Sequence, residues 1–323
     1  MRMIIIAGLI SLQSVFSQEV FPIEIPLSGE AKDRSLEMSG LAWYKDNLIL
    51  MPQYVKKDAP SFYYLNKKNI IKWIEGGHQK NPLEPDKIKL ELPNFENIIQ
   101  GFQGFEAIAF FGNKAYMVIE SKNNDAMKSF IVKGNLDFKN KKLTVDSVDI
   151  KEIPIPINIE NMGFESILQY KYGLMVFYEA NGVNVNNNPL ALIYNSSLKP
   201  RSSISFPNLE YRLTDVTSLD SKNKFWGLNY FWPGEKDILN PGKDSILNGV
   251  EQGDTHNKYE HVERLVEYKI SGDKIVRTST PPIQLYLEEK SRNWEGLARV
   301  EGKGFLMIVD EHPRTILAFI PKP

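Results

Sequence analysis

One short motif occurs five times along this chain, and the sequence between its copies repeats a single plan. The copies are Ser39-Gly40-Leu41-Ala42, Phe105-Glu106-Ala107-Ile108-Ala109, Phe164-Glu165-Ser166-Ile167-Leu168, Thr214-Asp215-Val216-Thr217-Ser218 and Trp294-Glu295-Gly296-Leu297-Ala298. With the polar residue as phase marker, the set is Ser39, Glu106, Glu165, Asp215 and Glu295. If the fourth copy is offset by two residues, Thr217 replaces Asp215. Self-similarity at a recurring interval is the signature of a repeat architecture.

A second marker keeps the same phase. Gln53, Glu120, Glu179 and Asn229 each stand fourteen residues after the first four markers, and Asp310 stands fifteen after the last. Each closes an apolar run such as Tyr116-Met117-Val118-Ile119 or Phe305-Leu306-Met307-Ile308-Val309. Between the paired markers lie polar or glycine-containing turns, among them Lys45-Asp46-Asn47, Gly112-Asn113-Lys114 and Lys171-Tyr172-Gly173, which is hairpin chemistry. Two further strand-like runs follow most hairpins, so a unit holds four strands.

The fifth unit, ending in Thr315-Ile316-Leu317-Ala318-Phe319-Ile320, is one strand short. An unpaired alternating run at residues 20 to 27, with prolines at 22 and 26, supplies the missing one. The expected fold is therefore all-β: a five-bladed β-propeller of four-stranded antiparallel blades, closed by the N-terminal strand joining the C-terminal blade. Radial closure protects sheet edges. The fourth unit carries an insertion at about residues 233 to 258, rich in Gly, Asn, Asp and charge, and such loops are where function concentrates.

Composition limits the partners. The 39 basic and 40 acidic residues leave a formal charge of −1, which offers neither nucleic acid nor an anionic membrane an electrostatic footprint. Met1-Arg2-Met3 followed by Ile4-Ile5-Ile6-Ala7-Gly8-Leu9-Ile10 reads as a secretory leader with cleavage after Ser17, leaving residues 18 to 323 as one domain. The apolar run is too short to span a membrane. The chain has no Cys, so an exported product must be held by its core, its ring closure or a metal, not by disulfides. A secreted or periplasmic monomer is expected.

In a propeller the first strand of each blade lines the axis, so the five first markers form a ring. Carboxylates facing one another either raise each other's pKa or recruit a cation. Oxygen donors without His or Cys suit a hard ion, and a flexible multi-carboxylate cage suits Ca2+. Ser39, Glu106, Glu165, Asp215 and Glu295 are thus candidate calcium ligands. Capped strand starts facing solvent are the plainer alternative. Of the second set, Glu120, Glu179 and Asp310 are candidate catalytic bases, or simply polar strand ends. Phe105, Phe164 and Trp294 precede the marker and should pack between blades. Tyr230, Phe231 and Trp232 sit at a loop edge, and His312 lies in a turn beside Asp310.

The ring order, with Ser39-Gly40-Leu41 and Trp294-Glu295-Gly296-Leu297, resembles the five-bladed calcium-activated nucleotidases (apyrases). The Gly104-Phe105-Glu106-Ala107-Ile108-Ala109 and Asn293-Trp294-Glu295-Gly296-Leu297-Ala298 hairpins resemble the phytase-like and esterase-like secreted bacterial propellers. The nucleotidase resemblance implies a central calcium beside which nucleoside diphosphates are hydrolysed. That family places Arg after its second strands to hold phosphates, whereas here those positions read Gln53-Tyr54, Glu120-Ser121, Glu179-Ala180, Asn229-Tyr230 and Asp310-Glu311. Two functions follow as expectations: a calcium-dependent hydrolase of a small ester or phosphoester, or a non-catalytic propeller with a structural calcium and a protein partner.

Overall fold

The computed structural model describes residues 19–77, 81–310 and 312–323, so the expected leader cleavage after Ser17 lies outside the described residues. Strands dominate, as the alternating runs demand. In chain order they are β1 (Ile23–Ile25), β2 (Met38–Tyr44), β3 (Asn47–Pro52), β4 (Ser61–Asn66), β5 (Asp86–Glu91), β6 (Phe102–Phe111) and β7 (Lys114–Asn123). Next come β8 (Ala126–Asp137), β9 (Lys142–Ile153), β10 (Phe164–Tyr170), β11 (Gly173–Tyr178), β12 (Leu190–Asn195), β13 (Pro200–Ser205) and β14 (Arg212–Val216). The last are β15 (Lys224–Phe231), β16 (Val262–Ser271), β17 (Lys274–Arg277), β18 (Ile283–Gln284), β19 (Trp294–Val300), β20 (Gly304–Val309) and β21 (Ile316–Pro321).

Each marker pair bounds an antiparallel hairpin. In the first, Tyr44 faces Asn47 across Lys45-Asp46, with Lys45 at φ 53°. In the second, Phe111 faces Lys114 across Gly112-Asn113, with Gly112 at φ 62°. A left-handed first residue matches the twist of the flanking strands. The chain ends meet in one sheet, where Ile23, Glu24 and Ile25 face Phe319, Ala318 and Leu317.

The strands do not divide into five separate sheets. One sheet has four strands (β1-β21-β20-β19), one has eight and one has nine. Parallel pairing of β5 with β9, at Lys89–Lys142 to Glu91–Thr144, fuses two four-strand runs into the eight-stranded sheet. A single parallel pair, Ser205–Lys274, fuses two more through β13 and β17, and β18 adds to β16. Fusion at the outer edge satisfies backbone groups that an isolated edge strand leaves open. Strand alternation carries no information about such edge pairing, so the sequence could not foresee it. The architecture is all-β and propeller-like: β2 touches β6, β6 touches β10, β10 touches β14, β14 touches β19 and β19 touches β2, which closes an inner ring.

The core lies between neighbouring sheet faces. Phe105, Phe164 and Trp294 are fully buried in three different clusters, as their alternation predicts. A helix at Lys67–Glu75 joins β4 to β5, capped by the Asn66 side chain accepting from Lys68 N and burying Ile70 and Trp73. It is too short to have registered as long amphipathic periodicity. Among the described residues no helix is long and apolar enough to cross a membrane.

Ile25 tests ring closure. It packs with Leu36, Leu317 and Phe319, so Ile25→Ala should cost about 2–5 kcal/mol in urea unfolding. Ile238→Ala, at an exposed position, should stay within about 0.5 kcal/mol.

Candidate functional site

Each inner strand carries a β-bulge at the same place. In β2 the pair Met38–Pro52 is followed by Gly40–Met51, leaving Ser39 without an opposite residue. The same skip leaves Glu106, Glu165, Thr214 and Glu295 in β6, β10, β14 and β19. A bulge re-aims the extra side chain and bends its strand. Register thus places Thr214 in phase with the other four, and neither Asp215 nor Thr217. Asp215 accepts from Val216 N and Leu297 N, both at 2.7 Å, and fastens β14 to β19. Ser39 Oγ and Thr214 Oγ1 each donate to the carbonyl just before a neighbouring bulge, Phe105 O at 2.6 Å and Trp294 O at 2.7 Å.

Two of the three bulge carboxylates, Glu165 and Glu295, gather around a cation that the motif pattern does not reveal. Arg212 lies two residues before Thr214 and is almost fully buried. Its Nη2 donates to both Glu165 oxygens, at 2.9 and 3.1 Å, and its Nε donates to Glu179 Oε2 at 2.5 Å. Glu295 lies 3.6 Å and Glu235 3.5 Å from the same guanidinium. One signal could have found it: a ring of acids needs a counter-charge, and no other Lys or Arg stands within two residues of a bulge.

One cation does not balance this many acids. Burial pushes the Glu106 carboxyl well above its ordinary range, helped by Glu120, Glu295 and Glu179. Burial raises Glu165 and Glu295 as well, against the opposing pull of Arg212. Burial and then Glu179 push Glu120 up to about 8. Its Oε1 is buried and has no hydrogen-bond partner. A Cβ at residue 163 would stand 2.6 Å from that oxygen, so Gly163 is what lets Glu120 approach.

The second markers mostly fasten hairpins. Glu179 Oε1 accepts from Gly163 N at 2.7 Å, and Asn229 Nδ2 donates to Arg212 O at 2.9 Å. Gln53 Nε2 donates to Glu106 Oε1 at 2.8 Å. Asp310 accepts from Asn293 Nδ2 at 2.8 Å and from His312 N at 2.9 Å. Of the three expected bases, Asp310 lines an open cavity, whereas Glu120 and Glu179 lie buried beneath it.

Hydroxyl and carboxylate oxygens suit a hard cation in kind. Their arrangement is a different matter. Among the described residues no group of three or more acidic or imidazole side chains is placed to hold a metal ion, and Ser39 and Asp215 spend hydrogen bonds on backbone. The guanidinium of Arg212 already bridges Glu165 and Glu179 within the acidic cluster.

Above Arg212 opens a cavity of about 880 Å³. Its walls include Tyr230, Trp232, Glu235, Ser291, Asn293, Asp310 and His312, with Arg34, Glu289 and Lys290 at hand. Glu235 comes from the insertion, which is anchored by the Arg264–Asp244 fork at 2.6 and 3.0 Å. Burial raises the Glu235 carboxyl, Arg212 opposing, and its Oε2 is buried without a partner. Tyr230 OH meets Ser291 Oγ at 3.2 Å, and Trp232 stays half exposed.

No family model matches the chain, and no curated protein sequence matches it. Among solved structures, the catalytic domain of a Coprinopsis cinerea GH62 alpha-L-arabinofuranosidase is similar at TM-score 0.47 and 9% identity, covering 94% of this chain and 97% of the other. A Cellvibrio cellulosa alpha-L-arabinanase is similar at 0.43 and 11%, over 87% and 90%. A glucose dehydrogenase is similar at 0.45 and 12%, over 89% and 97%. None of the three is a nucleotidase or a phytase. At those TM-scores and identities they do not bear on the chemistry of this site.

The acid surplus fixes a pH dependence. A carboxyl whose folded pKa is raised contributes stability below its unfolded value, and that stability is lost as pH rises through the folded value. For Glu120 the window runs from 4.5 to about 8. Stability should fall across it by up to about 1.4 kcal/mol per pH unit for each proton released. Glu120→Gln should flatten the profile and be more stable than the parent at its alkaline end, measured by urea unfolding. Arg212→Met strands the acids and should cost about 3–5 kcal/mol at the alkaline end, and less under acid, where they can protonate.

Proposed function

We propose that the chain is a five-bladed propeller that hydrolyses a small, polyhydroxylated neutral substrate, such as a glycoside, bound in the cavity over Arg212. One observation carries this reading: Glu235 and Asp310 face the same cavity from different environments. Burial raises the Glu235 carboxyl, which suits it to give a proton to the leaving oxygen. Asp310, fixed by Asn293 and His312, accepts the proton of the attacking water. Two carboxyl groups with separated tasks are the minimal apparatus for cleaving an acetal. Trp232 and Tyr230 offer an aromatic face, and Ser291 and Asn293 offer donors and acceptors, the complement of a sugar ring. Three acidic side chains and three basic ones line the cavity, a balance that favours a neutral ligand over a polyanion.

Glu235→Gln and Asp310→Asn should each lower kcat by about 10²- to 10⁴-fold while leaving thermal unfolding nearly unchanged. The assay compares p-nitrophenyl glycosides, esters and phosphates. Activity confined to esters or phosphates moves the substrate class back to the one expected from sequence. Inactivity on all three, or full activity in both variants, removes the hydrolase reading and leaves a binding propeller.

Calcium is a second reading, favoured by the surplus of buried carboxylates and by the unpartnered Glu120 Oε1. Glu106, Glu165 and Glu295 would hold it with the Ser39 and Thr214 hydroxyls, once Arg212 turned aside. Calcium should then raise the unfolding temperature and chelator reverse it, with Glu106→Gln abolishing the response; an unchanged unfolding temperature dismisses the ion. Export is proposed from the leader pattern, and the mature N-terminus should read Gln18.

A further inference from the structure

The axis has a second end. Two residues past each bulge the side chain is aliphatic in all five inner strands: Leu41, Ile108, Ile167, Val216 and Leu297, each at least 95% buried. This layer separates the acidic cluster from a well of about 140 Å³ at the far mouth. Four residues past each bulge stand Trp43, Phe110, Gln169, Ser218 and Arg299, all lining that well. It is separate from the cavity over Arg212, and no step of the hydrolytic reading uses it.

Arg299 is poorly paired for a largely covered cation. Its Nη2 reaches Thr217 Oγ1 at 3.3 Å and Lys224 O at 3.4 Å, and its Nη1 lies 3.6 Å from Asp220 Oδ2. Its Nε is buried without a partner. Trp43 Nε1 donates to Arg299 O at 2.7 Å, which fixes the indole against the backbone of β19. The mouth therefore sets Trp43, Phe110 and Arg299 around one well. A space of about 140 Å³ is close to what a benzene-sized molecule occupies, its mixed polar and apolar lining suits a ring that bears a charged group, and a guanidinium fork matches a carboxylate.

We propose that this well binds a small aromatic carboxylate of benzoate size, its ring against Trp43 and Phe110 and its carboxylate on Arg299. A carboxylate supplies the close acceptor that the Nη atoms, with contacts at 3.3, 3.4 and 3.6 Å, lack, and the floor layer of aliphatic side chains keeps the aryl body out of water. An ammonium or a neutral polar ligand would leave the cation as it is.

Calorimetric and fluorine-NMR titration of the full chain with benzoate, 4-fluorobenzoate and toluene tests this. Benzoate should bind at least about tenfold more tightly than toluene, the worth of one charge-assisted contact. Arg299→Met should erase that preference. Ser218→Leu, a change at an exposed position on the mouth, should block both ligands while leaving Arg299 intact. Glu235→Gln, in the other cavity, should bind benzoate as the parent does. No binding of benzoate to the parent overturns the proposal, as does unchanged binding in both mouth variants. Loss of binding in Glu235→Gln with retention in Ser218→Leu overturns it too, by placing the ligand over Arg212.

Discussion

A single extra residue in each inner strand is the constraint on which the rest of this molecule depends. Without the bulge, the residue at Ser39, Glu106, Glu165, Thr214 or Glu295 would alternate into a sheet face like its neighbours. With it, Met38, Phe105, Phe164, Leu213 and Trp294 stay in the cores between sheets, while the next residue is released toward the ring interior. The bulges also link neighbours, since Ser39 and Thr214 donate to the carbonyls at Phe105 and Trp294. Polar chemistry and ring closure thus come from one backbone device.

Collecting carboxylates on an axis carries an electrostatic penalty, and the way it is met differs from what the pattern suggests. Arg212 supplies a covalently tethered cation, compensated on several sides by Glu165, Glu179, Glu235 and Glu295. It cannot neutralise them all, and burial raises the carboxyls of the remainder, Glu106 and Glu120. Glu106 and Glu120 lie on the side without direct contact to the guanidinium, and Glu120 retains an unpartnered oxygen there. That is where a proton, or in the second reading an ion, resolves the imbalance. The cavity above inherits the asymmetry: Glu235 touches the guanidinium and is largely covered, whereas Asp310 is held by Asn293 and the backbone of His312.

Much of this was legible before any coordinates. The hairpins announce themselves because turn chemistry and the two markers are local, and the N-terminal strand is visible as the partner of an incomplete last unit. The insertion too is readable as a loop. What escaped depends on contacts distant in sequence. The parallel pairs β5–β9 and β13–β17 involve outer edges with no alternation signal. Arg212 reads as an ordinary surface residue, and Glu235 as one charge among many in a polar loop, until the fold buries the first and brings the second against it. Asp215 attracted attention as the acid in the fourth motif, yet the bulge falls one residue earlier, and an offset of one cannot be resolved by composition.

The departure from symmetry in the fourth inner strand explains the site better than the symmetry does. Two residues before the bulge the five strands carry Glu37, Gly104, Gly163, Arg212 and Asn293. The two glycines leave room, where a Cβ at 163 would strike Glu120 and one at 104 would strike Gln53. Glu120 and Gln53 take up that space, Arg212 reaches Glu165 and Glu179 from the next inner strand, and Thr214, rather than a fourth acid, occupies its bulge. A Glu at 214 would add one more buried charge to a cluster already short of cations, while removing a hydroxyl that holds Trp294 O. The fourth strand therefore gives up a carboxylate and contributes the counter-charge, and the insertion that follows it brings Glu235 to the same guanidinium.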